Sequence, residues 1–581
     1  MEAGHLVDEF APVSTETWEE VIHRDLKGAD YAKKLIWHSP EGIDVKPYYR
    51  REDIANLHID QVPGRFPYLR STRANGNWRI REEIAAEEPE TANRDAQKAL
   101  AAGAEEISFS RVMIRNSSDL GMLLVNLQTA PLHFENGDDV LVGLLIERLM
   151  SKPDSQQIST GLNPLANPEF AAATIRNAPP ALVPFTIHGE HLEEAGANAV
   201  QEVAFTLAAG IDYLTEMDAR GIEVDRAAES IGFSFSVGGS YFFQIAKFRA
   251  FRILWAKAVE SFGGSHEAAR ARMNARTSLW NKTVYDPHVN VLRATTEAMS
   301  AVLGGVDSVC VAAFDECFKT PDENSRRLAR NTQIILKHEA LLAQVADAGA
   351  GSYYLEAITD AIAREAWKAM QQIEAEGGYR KARASGMMDR ALADSEKARE
   401  KAVALRRRVF TGTNQYANAD ERALGRIVQS RHIADRRGAA SYEQLRLRTE
   451  RHATETGKTP KILLAEFGDV KMRAARVTFA SNFFACAGFE IAAQRWDSAD
   501  DIAAVDADLI VLCSSDAEYF EMAAALITKL KAVGRETPVL VAGNPESTEQ
   551  LRSAGVADFI HVRSNPVEVL TSWQQRLGMK V

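Results

Sequence analysis

The loop Phe467-Gly468-Asp469-Val470-Lys471 follows an apolar run near the C-terminal end of the chain and opens a helical pattern. The loop follows the first strand of a predicted doubly wound α/β domain, and in such domains ligands sit beyond the carboxyl ends of the strands. Lysine is a poor ligand, because its ammonium group, with a reference pKa of about 10.4, offers no lone pair at neutral pH. An altered ligand site is therefore one interpretation. The favoured one is an N-cap by Asp469 with a surface ion pair.

Two further groups of residues contain side chains that could bind a metal or act as a nucleophile. Asp286-Pro287-His288 contains two metal-ligand types, but two ligands do not make a site, and capping at a helix start is the favoured role. Cys310 lies in an alternating strand pattern, which is typical of a small buried side chain more than of a nucleophile. We predict no metal site and no nucleophile from these residues.

The cysteines and the N-terminal residues indicate the cellular compartment of the protein. The four cysteines, Cys310, Cys317, Cys486 and Cys513, form no CxxC pair, which fits neither a disulfide framework nor a structural zinc site. The first residues are acidic and polar and contain no secretory pattern, and apolar runs end well before the roughly 20 residues that span a bilayer. We expect a cytoplasmic protein.

Length and charge limit the function classes further. A chain of 581 residues exceeds one ordinary core, so at least two domains are expected. The net charge of -12 disfavours wholesale binding to nucleic acid or to anionic membranes. The 46% of apolar and 25% of charged residues are typical of a globular protein.

The elements that would position these residues fall into two α/β regions. From about residue 105 to 378, β-branched apolar runs alternate with Ala-rich helical stretches, the pattern of βα units around a parallel sheet, and the length favours a (β/α)8 TIM barrel. The predicted strands are Ile107 to Ser110, Leu132 to Glu135, Pro184 to His188, Ile231 to Val237 and Ser308 to Phe314. The predicted helices are Asn198 to Ala219, Ser240 to Ser261 and His288 to Leu303.

The C-terminal region predicts a five-stranded, doubly wound, flavodoxin-like α/β domain. Its predicted strands are Ile462 to Glu466, Phe489 to Ala492, Leu509 to Cys513, Val539 to Ala542 and Phe559 to Val562. We divide the chain into an N-terminal arm and partner-contact segment (1–95), the barrel (96–381), a helical linker (382–458) and the doubly wound domain (459–581). The linker's basic run, residues 406–408, indicates a solvated face or a partner contact more than a nucleic-acid patch.

Several stretches together resemble the adenosylcobalamin-dependent acyl-CoA mutase family, and within it the methylmalonyl-CoA mutases. They are residues 63–70 (PGRFPYLR), 78–81 (WRIR), 191–197 (HLEEAGA), 245–250 (IAKFRA), 286–290 (DPHVN), 314–316 (FDE), 329–333 (ARNTQ) and 351–356 (GSYYLE). The resemblance covers most of the chain. It implies a TIM barrel followed by a cobalamin-binding-type domain.

The family's cofactor loop reads Asp-x-His-x-x-Gly, followed by Ser-x-Leu and then Gly-Gly. The histidine is the lower ligand of cobalt, and the aspartate orients it. In this chain Asp469 matches, but Lys471 and Ala474 replace the histidine and the glycine. The later motifs read Ser514-Ser515-Asp516 and Ala542-Gly543. The resemblance therefore implies a degenerate loop, and we expect no cofactor to bind at these positions.

The barrel departs from the family pattern as well. His191 aligns with a histidine that contacts the substrate carbonyl in active relatives, but the tyrosine before it is Glu190 here. The stretch that carries a substrate-carboxylate arginine is missing between Phe170 and Pro184. We interpret His191 as a relict held by strand-end hydrogen bonds and expect no catalytic residue. Four arginines are compatible both with binding CoA phosphates and with making ion pairs: Arg65, Arg70, Arg79 and Arg81.

These departures imply the non-catalytic, stabilising small subunit of a heterodimeric member of the family. The large catalytic partner would bind adenosylcobalamin and the acyl-CoA substrate. The holoenzyme would interconvert (R)-methylmalonyl-CoA and succinyl-CoA. Two alternatives stay open: a divergent mutase that is active by itself, and a module that delivers or protects cofactor for a mutase.

Overall fold

A computed structural model describes residues 13–151, 156–427 and 436–580 of the chain. Before the first domain, short elements form an N-terminal arm. These are helices α1 (Thr15–Asp25) and α2 (Tyr31–Leu35), the antiparallel strands β1 (Trp37–His38) and β2 (Asp44–Val45), and a 3₁₀ turn (Arg51–Ile54). Asp30 accepts a hydrogen bond from the backbone N–H of Lys33 and so caps α2.

The first domain is built on a parallel sheet of nine strands that closes on itself. The strands are β3 (Arg79–Ile84), β4 (Glu106–Phe109), β5 (Leu132–Phe134), β6 (Ile158–Thr160), β7 (Leu182–Val183), β8 (Phe185–His188), β9 (Ile231–Val237), β10 (Met273–Thr277) and β11 (Ser308–Cys310). Their order is β7-β6-β5-β4-β3-β11-β10-β9-β8. Because only Pro184 separates β7 from β8, these two strands act as one, and the sheet is an eight-stranded barrel.

Helices surround this barrel, as the prediction of βα units requires. They are α3 (Pro89–Ala101), α4 (Ser117–Leu123), α5 (Asp139–Ser151), α6 (Pro168–Asn177), α7 (Glu190–Glu194), α8 (Ala199–Asp218), α9 (Val224–Glu229), α10 (Tyr241–Ser261), α11 (Val289–Leu303), α12 (Glu323–Ile334) and α13 (Tyr353–Ala375), with a π turn at Ile335–Glu339 and a 3₁₀ turn at Leu342–Gln344. The predicted helices correspond to α8, α10 and α11. Asn198 and Gln201 begin α8 with a reciprocal capping box.

The sequence predicts five of the nine barrel strands. All five predicted barrel strands are present, although β11 ends at Cys310 and not at Phe314. Strands β3, β6, β7 and β10 were not predicted. Since β3 lies in the barrel sheet between β11 and β4, the barrel begins inside residues 1–95, and the predicted N-terminal arm ends earlier than its assigned boundary.

The second domain is a five-stranded parallel sheet, as predicted. Its strands are β12 (Lys461–Glu466), β13 (Glu490–Arg495), β14 (Leu509–Cys513), β15 (Val539–Ala542) and β16 (Asp558–Ile560), and its helices are α17 (Val470–Ala485), α18 (Ala499–Ala503), α19 (Tyr519–Ala532), α20 (Thr548–Ala554) and α21 (Pro566–Arg576). The order β13-β12-β14-β15-β16 is that of a doubly wound, flavodoxin-like sheet. Strand β13 lies at the edge, and five of its six residues are exposed.

Helices α14 (Tyr379–Ala384), α15 (Met387–Ala404) and α16 (Ala440–Thr456) connect the two domains. Trp280 of the barrel packs with Phe410 and Tyr442 of this linker in one apolar cluster that continues into the second sheet. The four cysteines are buried and unpaired. Within the described ranges, no helix has the length and apolar character that crossing a bilayer requires.

Candidate functional site

The carboxyl ends of the barrel strands open into a cavity of about 690 Å³. Glu135 follows β5, Gly161 follows β6 and His188 ends β8, and all three line this cavity. Tyr379 of α14 and Met388 of α15 line it from the linker. Parallel barrels carry their catalytic groups at this end, because the loops after the strands converge there. This cavity, which we call the upper cavity, is the candidate site of the barrel.

His188 is held between two acceptors at the edge of the upper cavity. Its Nδ1 lies 2.7 Å from Oε1 of Glu190, and its Nε2 lies 2.7 Å from the carbonyl oxygen of Gly161. Burial acts to lower the pKa of this imidazole, but the Glu190 carboxylate and the Gly161 carbonyl outweigh burial and raise the pKa to about 9. His188 is therefore a cation at neutral pH and donates to both acceptors.

His191, the predicted relict, lies one turn further along at the start of α7. Its side chain is exposed, and its ring stacks on that of His188 with the centroids 4.8 Å apart. The strand-end hydrogen bond predicted for His191 is made by His188 instead. Neither His188 nor Glu190 was predicted as a site residue. The signal available for them was the His-x-x-His spacing, residues 188 to 191, across a strand-to-helix turn.

Buried charges cross the barrel axis below the upper cavity. Glu106 of β4 lies 2.5 Å from Nη2 of Arg81 and 2.7 Å from Nε of Arg79, both on β3. Glu135 accepts a hydrogen bond from Oγ of Ser108 at 2.6 Å and lies 3.3 Å from Nε2 of His133. We call these six side chains the axial network.

The electrostatics of the axial network favour its ionised form. Burial acts to raise the pKa of Glu106, but the Arg81 and Arg79 guanidinium groups outweigh burial and hold that pKa below its usual value. Burial acts on Glu135 in the same way, and the neighbouring His133 and Arg81 hold its pKa far below the ordinary range. Each carboxylate is thus held in its ionised form.

The axial network separates the two ends of the barrel. Arg81 and Glu106 line a second cavity of about 690 Å³ at the amino ends of the strands, whereas Glu135 lines the upper cavity. The buried Arg81–Glu106 ion pair thus lies beside the second cavity. Breaking a buried pair on one side costs about 3–5 kcal/mol, because a buried charge is left uncompensated.

Three of the four predicted arginines make ion pairs. Arg79 and Arg81 belong to the axial network, and Arg70 is buried against Glu356 at 2.5 Å and Asp347 at 3.2 Å. Arg65 is exposed. Of the two interpretations that the sequence left open, the ion-pair role therefore describes Arg70, Arg79 and Arg81.

In the second domain the crevice at the switch point is filled by a carboxylate. Glu518 accepts hydrogen bonds from the hydroxyls of Ser514 and Ser515 and from the backbone N–H of Asp469, the last at 3.2 Å. These donors, Ser514 and Ser515 above all, lower the pKa of Glu518 to about 2. A Cβ placed on Gly468 would lie 2.2 Å from Oε2 of Glu518, so the carboxylate is seated directly against the loop backbone.

Tyr519 fills the next part of the same crevice. Its side chain is fully buried, and its hydroxyl donates to the carbonyl oxygen of Ala542 at 2.7 Å and accepts from the backbone N–H of Ser514 at 3.1 Å. Asp516 pairs with Nη2 of Arg476 at 2.9 Å across the mouth of the crevice. A Cβ on Gly543 would lie 3.2 Å from Asp516 and 3.3 Å from Tyr519. The space beside Ala542-Gly543 is occupied by this chain's own side chains.

Asp469 and Lys471 have separate roles at the start of α17. Asp469 is the N-cap and accepts a hydrogen bond from the backbone N–H of Met472 at 2.7 Å, which confirms the predicted cap. Lys471 and Ala474 are exposed on the helix, and the described residues show no ion pair between Asp469 and Lys471. At the other sequence motif, Asp286-Pro287-His288, the helix begins without a side-chain cap, so the predicted capping role there is wrong.

The fold and these two crevices define a class of protein. A closed parallel barrel, a helical linker and a flavodoxin-like sheet occur in the order that the sequence resemblance to acyl-CoA mutases requires. The family model for methylmalonyl-CoA mutase matches residues 38–114 and 169–466.

Similar proteins carry names from the same family. A methylmalonyl-CoA mutase small subunit from Porphyromonas gingivalis is 36% identical, with the whole of both chains covered. A methylmalonyl-CoA mutase small subunit from Streptomyces virginiae is 30% identical over 99% of this chain and 98% of its own. A methylmalonyl-CoA mutase from Escherichia coli is 26% identical over 94% of this chain and 96% of its own. The chain therefore belongs to the methylmalonyl-CoA mutase family.

Proposed function

We propose that this chain is the non-catalytic, stabilising small subunit of a heterodimeric methylmalonyl-CoA mutase. The large partner subunit binds adenosylcobalamin and the acyl-CoA, and the holoenzyme interconverts (R)-methylmalonyl-CoA and succinyl-CoA. The observation that carries this proposal is the crevice of the second domain, which Glu518 and Tyr519 occupy.

The residues at this crevice do not fit cobalamin. The ligand position carries Lys471, an exposed cation, and the orienting Asp469 is engaged as a helix cap. The crevice where a nucleotide tail would be inserted contains a carboxylate and a buried tyrosine ring, and displacing Glu518 would break its hydrogen bonds to two serines.

The barrel supports a non-catalytic role independently. The axial network lies between the cavities at the two ends of the barrel, and its Arg81–Glu106 ion pair is buried. In addition, His188 and Glu190 engage one another at the cavity edge, so the position of the family's tyrosine holds an anion paired with a cation.

The relatives named as small subunits imply a larger partner. The N-terminal arm is the proposed contact segment, and it carries the exposed aromatic residues that interfaces favour: Trp18 is 43% and Trp37 is 49% exposed. A permanent interface of this kind commonly buries more than about 2,000 Å². We also propose a cytoplasmic location, which the four buried, unpaired cysteines support.

The test is to express this chain alone, its partner alone and the two together, and to measure bound corrin by absorbance and mutase turnover for each preparation. We expect corrin to remain with the partner and turnover to require the partner. The variant Lys471→Ala should leave the turnover of the complex nearly unchanged. Stoichiometric corrin on the isolated chain, or turnover by it, would establish the self-sufficient mutase. Corrin that passes from this chain to the partner would establish the delivery module.

A further inference from the structure

Three metal-ligand side chains meet at the edge of the upper cavity. One ligand atom each from His188, Glu190 and His191 lies within 4.8 Å of the other two. We propose that these side chains bind a divalent transition-metal ion of the zinc type. This site is independent of the proposed subunit function and does not involve the second domain.

His188 has the surroundings of a metal-ligating imidazole. Such histidines donate their other ring N–H to a carboxylate or a backbone carbonyl, which fixes the ring. Nε2 of His188 points to the carbonyl oxygen of Gly161 at 2.7 Å, and Nδ1 faces Oε1 of Glu190 at 2.7 Å. A metal ion would replace the proton between Nδ1 and Oε1, and that proton would leave to solvent as the ion enters.

Glu190 leaves one oxygen without a donor. Its Oε2 is buried and, among the described residues, has no hydrogen-bond partner. Thr206 is fully buried and lines the same cavity. Its Oγ1 also has no hydrogen-bond partner among the described residues. Buried acceptors without donors are costly, and a cation is a means of satisfying the carboxylate.

The turn between the first two ligands is fixed by close packing. A Cβ on Gly189 would lie 2.7 Å from Oγ1 of Thr206 and 2.8 Å from the carbonyl oxygen of Ser234, so the backbone there is pressed against its neighbours. The relative positions of His188 and Glu190 are therefore set by the fold. His191 is exposed, and rotation of its ring can bring the third ligand to the roughly 2.0–2.2 Å that zinc requires.

The donor set selects the kind of ion. Two imidazole nitrogens and one carboxylate oxygen suit zinc and related transition metals better than magnesium or calcium, which prefer oxygen ligands. Three protein ligands leave the fourth position of a tetrahedral ion open. Because all three ligands line the upper cavity, a water molecule or a small anionic ligand from that cavity would complete the coordination.

The test is equilibrium dialysis of the purified full chain, alone or in its complex, against Zn²⁺, followed by metal analysis. We expect one Zn²⁺ per chain. His191→Ala and Glu190→Gln should each weaken binding by about a hundredfold or more, beyond the 10–100-fold typical of outer-shell partners. Substituting Co²⁺ should give the visible absorption of a tetrahedral site, and His191→Ala should abolish it.

His338→Ala is the matched control, since His338 is also exposed but lies on the π turn after α12. It should bind as the unaltered chain does. Far-UV circular dichroism checks that each variant is folded, and the exposed position of His191 makes its variant the safest in this respect. Absence of stoichiometric Zn²⁺, or binding that His191→Ala and Glu190→Gln leave unchanged, would overturn the proposal.

Discussion

Lys471 and Glu190 stand where the family pattern has a histidine and a tyrosine, and each brings a charge to its position. Lys471 is exposed, so its ammonium group stays solvated and needs no partner in the fold. Glu190 is enclosed, and it requires the cation at His188. A substitution at the surface can thus replace a ligand by a charged residue without any other change. A charge introduced at the cavity edge needs a residue of opposite charge beside it.

The axial network gives a prediction at this scale. Glu106→Gln keeps the shape of the side chain but leaves Arg79 and Arg81 without their anion, and we expect it to lower the free energy of unfolding by about 3–5 kcal/mol. Urea denaturation at neutral pH measures the loss. The matched control is Asp360→Asn, which removes an exposed helix pair with Arg364 and should cost less than about 0.5 kcal/mol. Equal costs for the two variants would contradict a structural role for the network.

At the scale of elements, the sequence predicts strands β4 and β5 of the axial network but misses β3, the strand that carries its two arginines. Strand β9 was predicted at its observed bounds because its four large apolar residues alternate with glycine and serine, while β3 (RIREEI) has four charged residues and β10 (MNART) has only two apolar ones. The candidate site divides in the same way. The loss of the histidine at Lys471 is readable from the sequence. Glu518 could not be predicted, since its role depends on the loop after β14 folding back onto the loop after β12.

This folded-back loop gives a prediction for pH dependence. The pKa of Glu518 is lowered to about 2, so its stabilising hydrogen bonds are fully present above the unfolded value of about 4.3 and are lost as the pH falls towards 2. Between about pH 5 and pH 2.5, the free energy of unfolding should fall less steeply with pH for Glu518→Gln than for the unaltered chain. The two slopes should differ by at most the amount that the binding of one proton contributes. Glu521→Gln, at an exposed carboxylate of the same helix, should keep the original slope. Identical slopes for all three proteins would show that Glu518 is not held by the serines.

The whole molecule keeps the architecture of an enzyme family, while the crevice of its second domain is occupied by the side chains of Glu518 and Tyr519. Packing resides in the strands and helices, whereas ligand binding depends on the loops at their ends, so the cores of the two sheets survive changes at those ends. The apolar cluster through Trp280, Phe410 and Tyr442 joins barrel, linker and second domain, which makes one body that a partner can bind.

The proposed interface gives a prediction at this largest scale. Trp18 is 43% exposed, stacks on Tyr48 with centroids 4.5 Å apart, and lies on the N-terminal arm. Trp18→Ala should weaken association with the large subunit by about thirtyfold, the effect of losing an aromatic hot spot worth about 2 kcal/mol. Trp367→Ala, at a tryptophan that is 37% exposed on α13, serves as the control. Surface-binding measurements with the purified partner give both values, and equal affinities for the two variants would remove Trp18 from the interface.

The exposed edge strand β13 has a consequence for the behaviour of the chain in concentrated solution. An unprotected strand edge can template the addition of a second chain and so lead to aggregates. Glu490 and Arg495 place a charge at each end of this strand, and the chain as a whole carries a net charge of -12. Colloidal repulsion therefore protects this edge, and the protection weakens as added salt screens the charges.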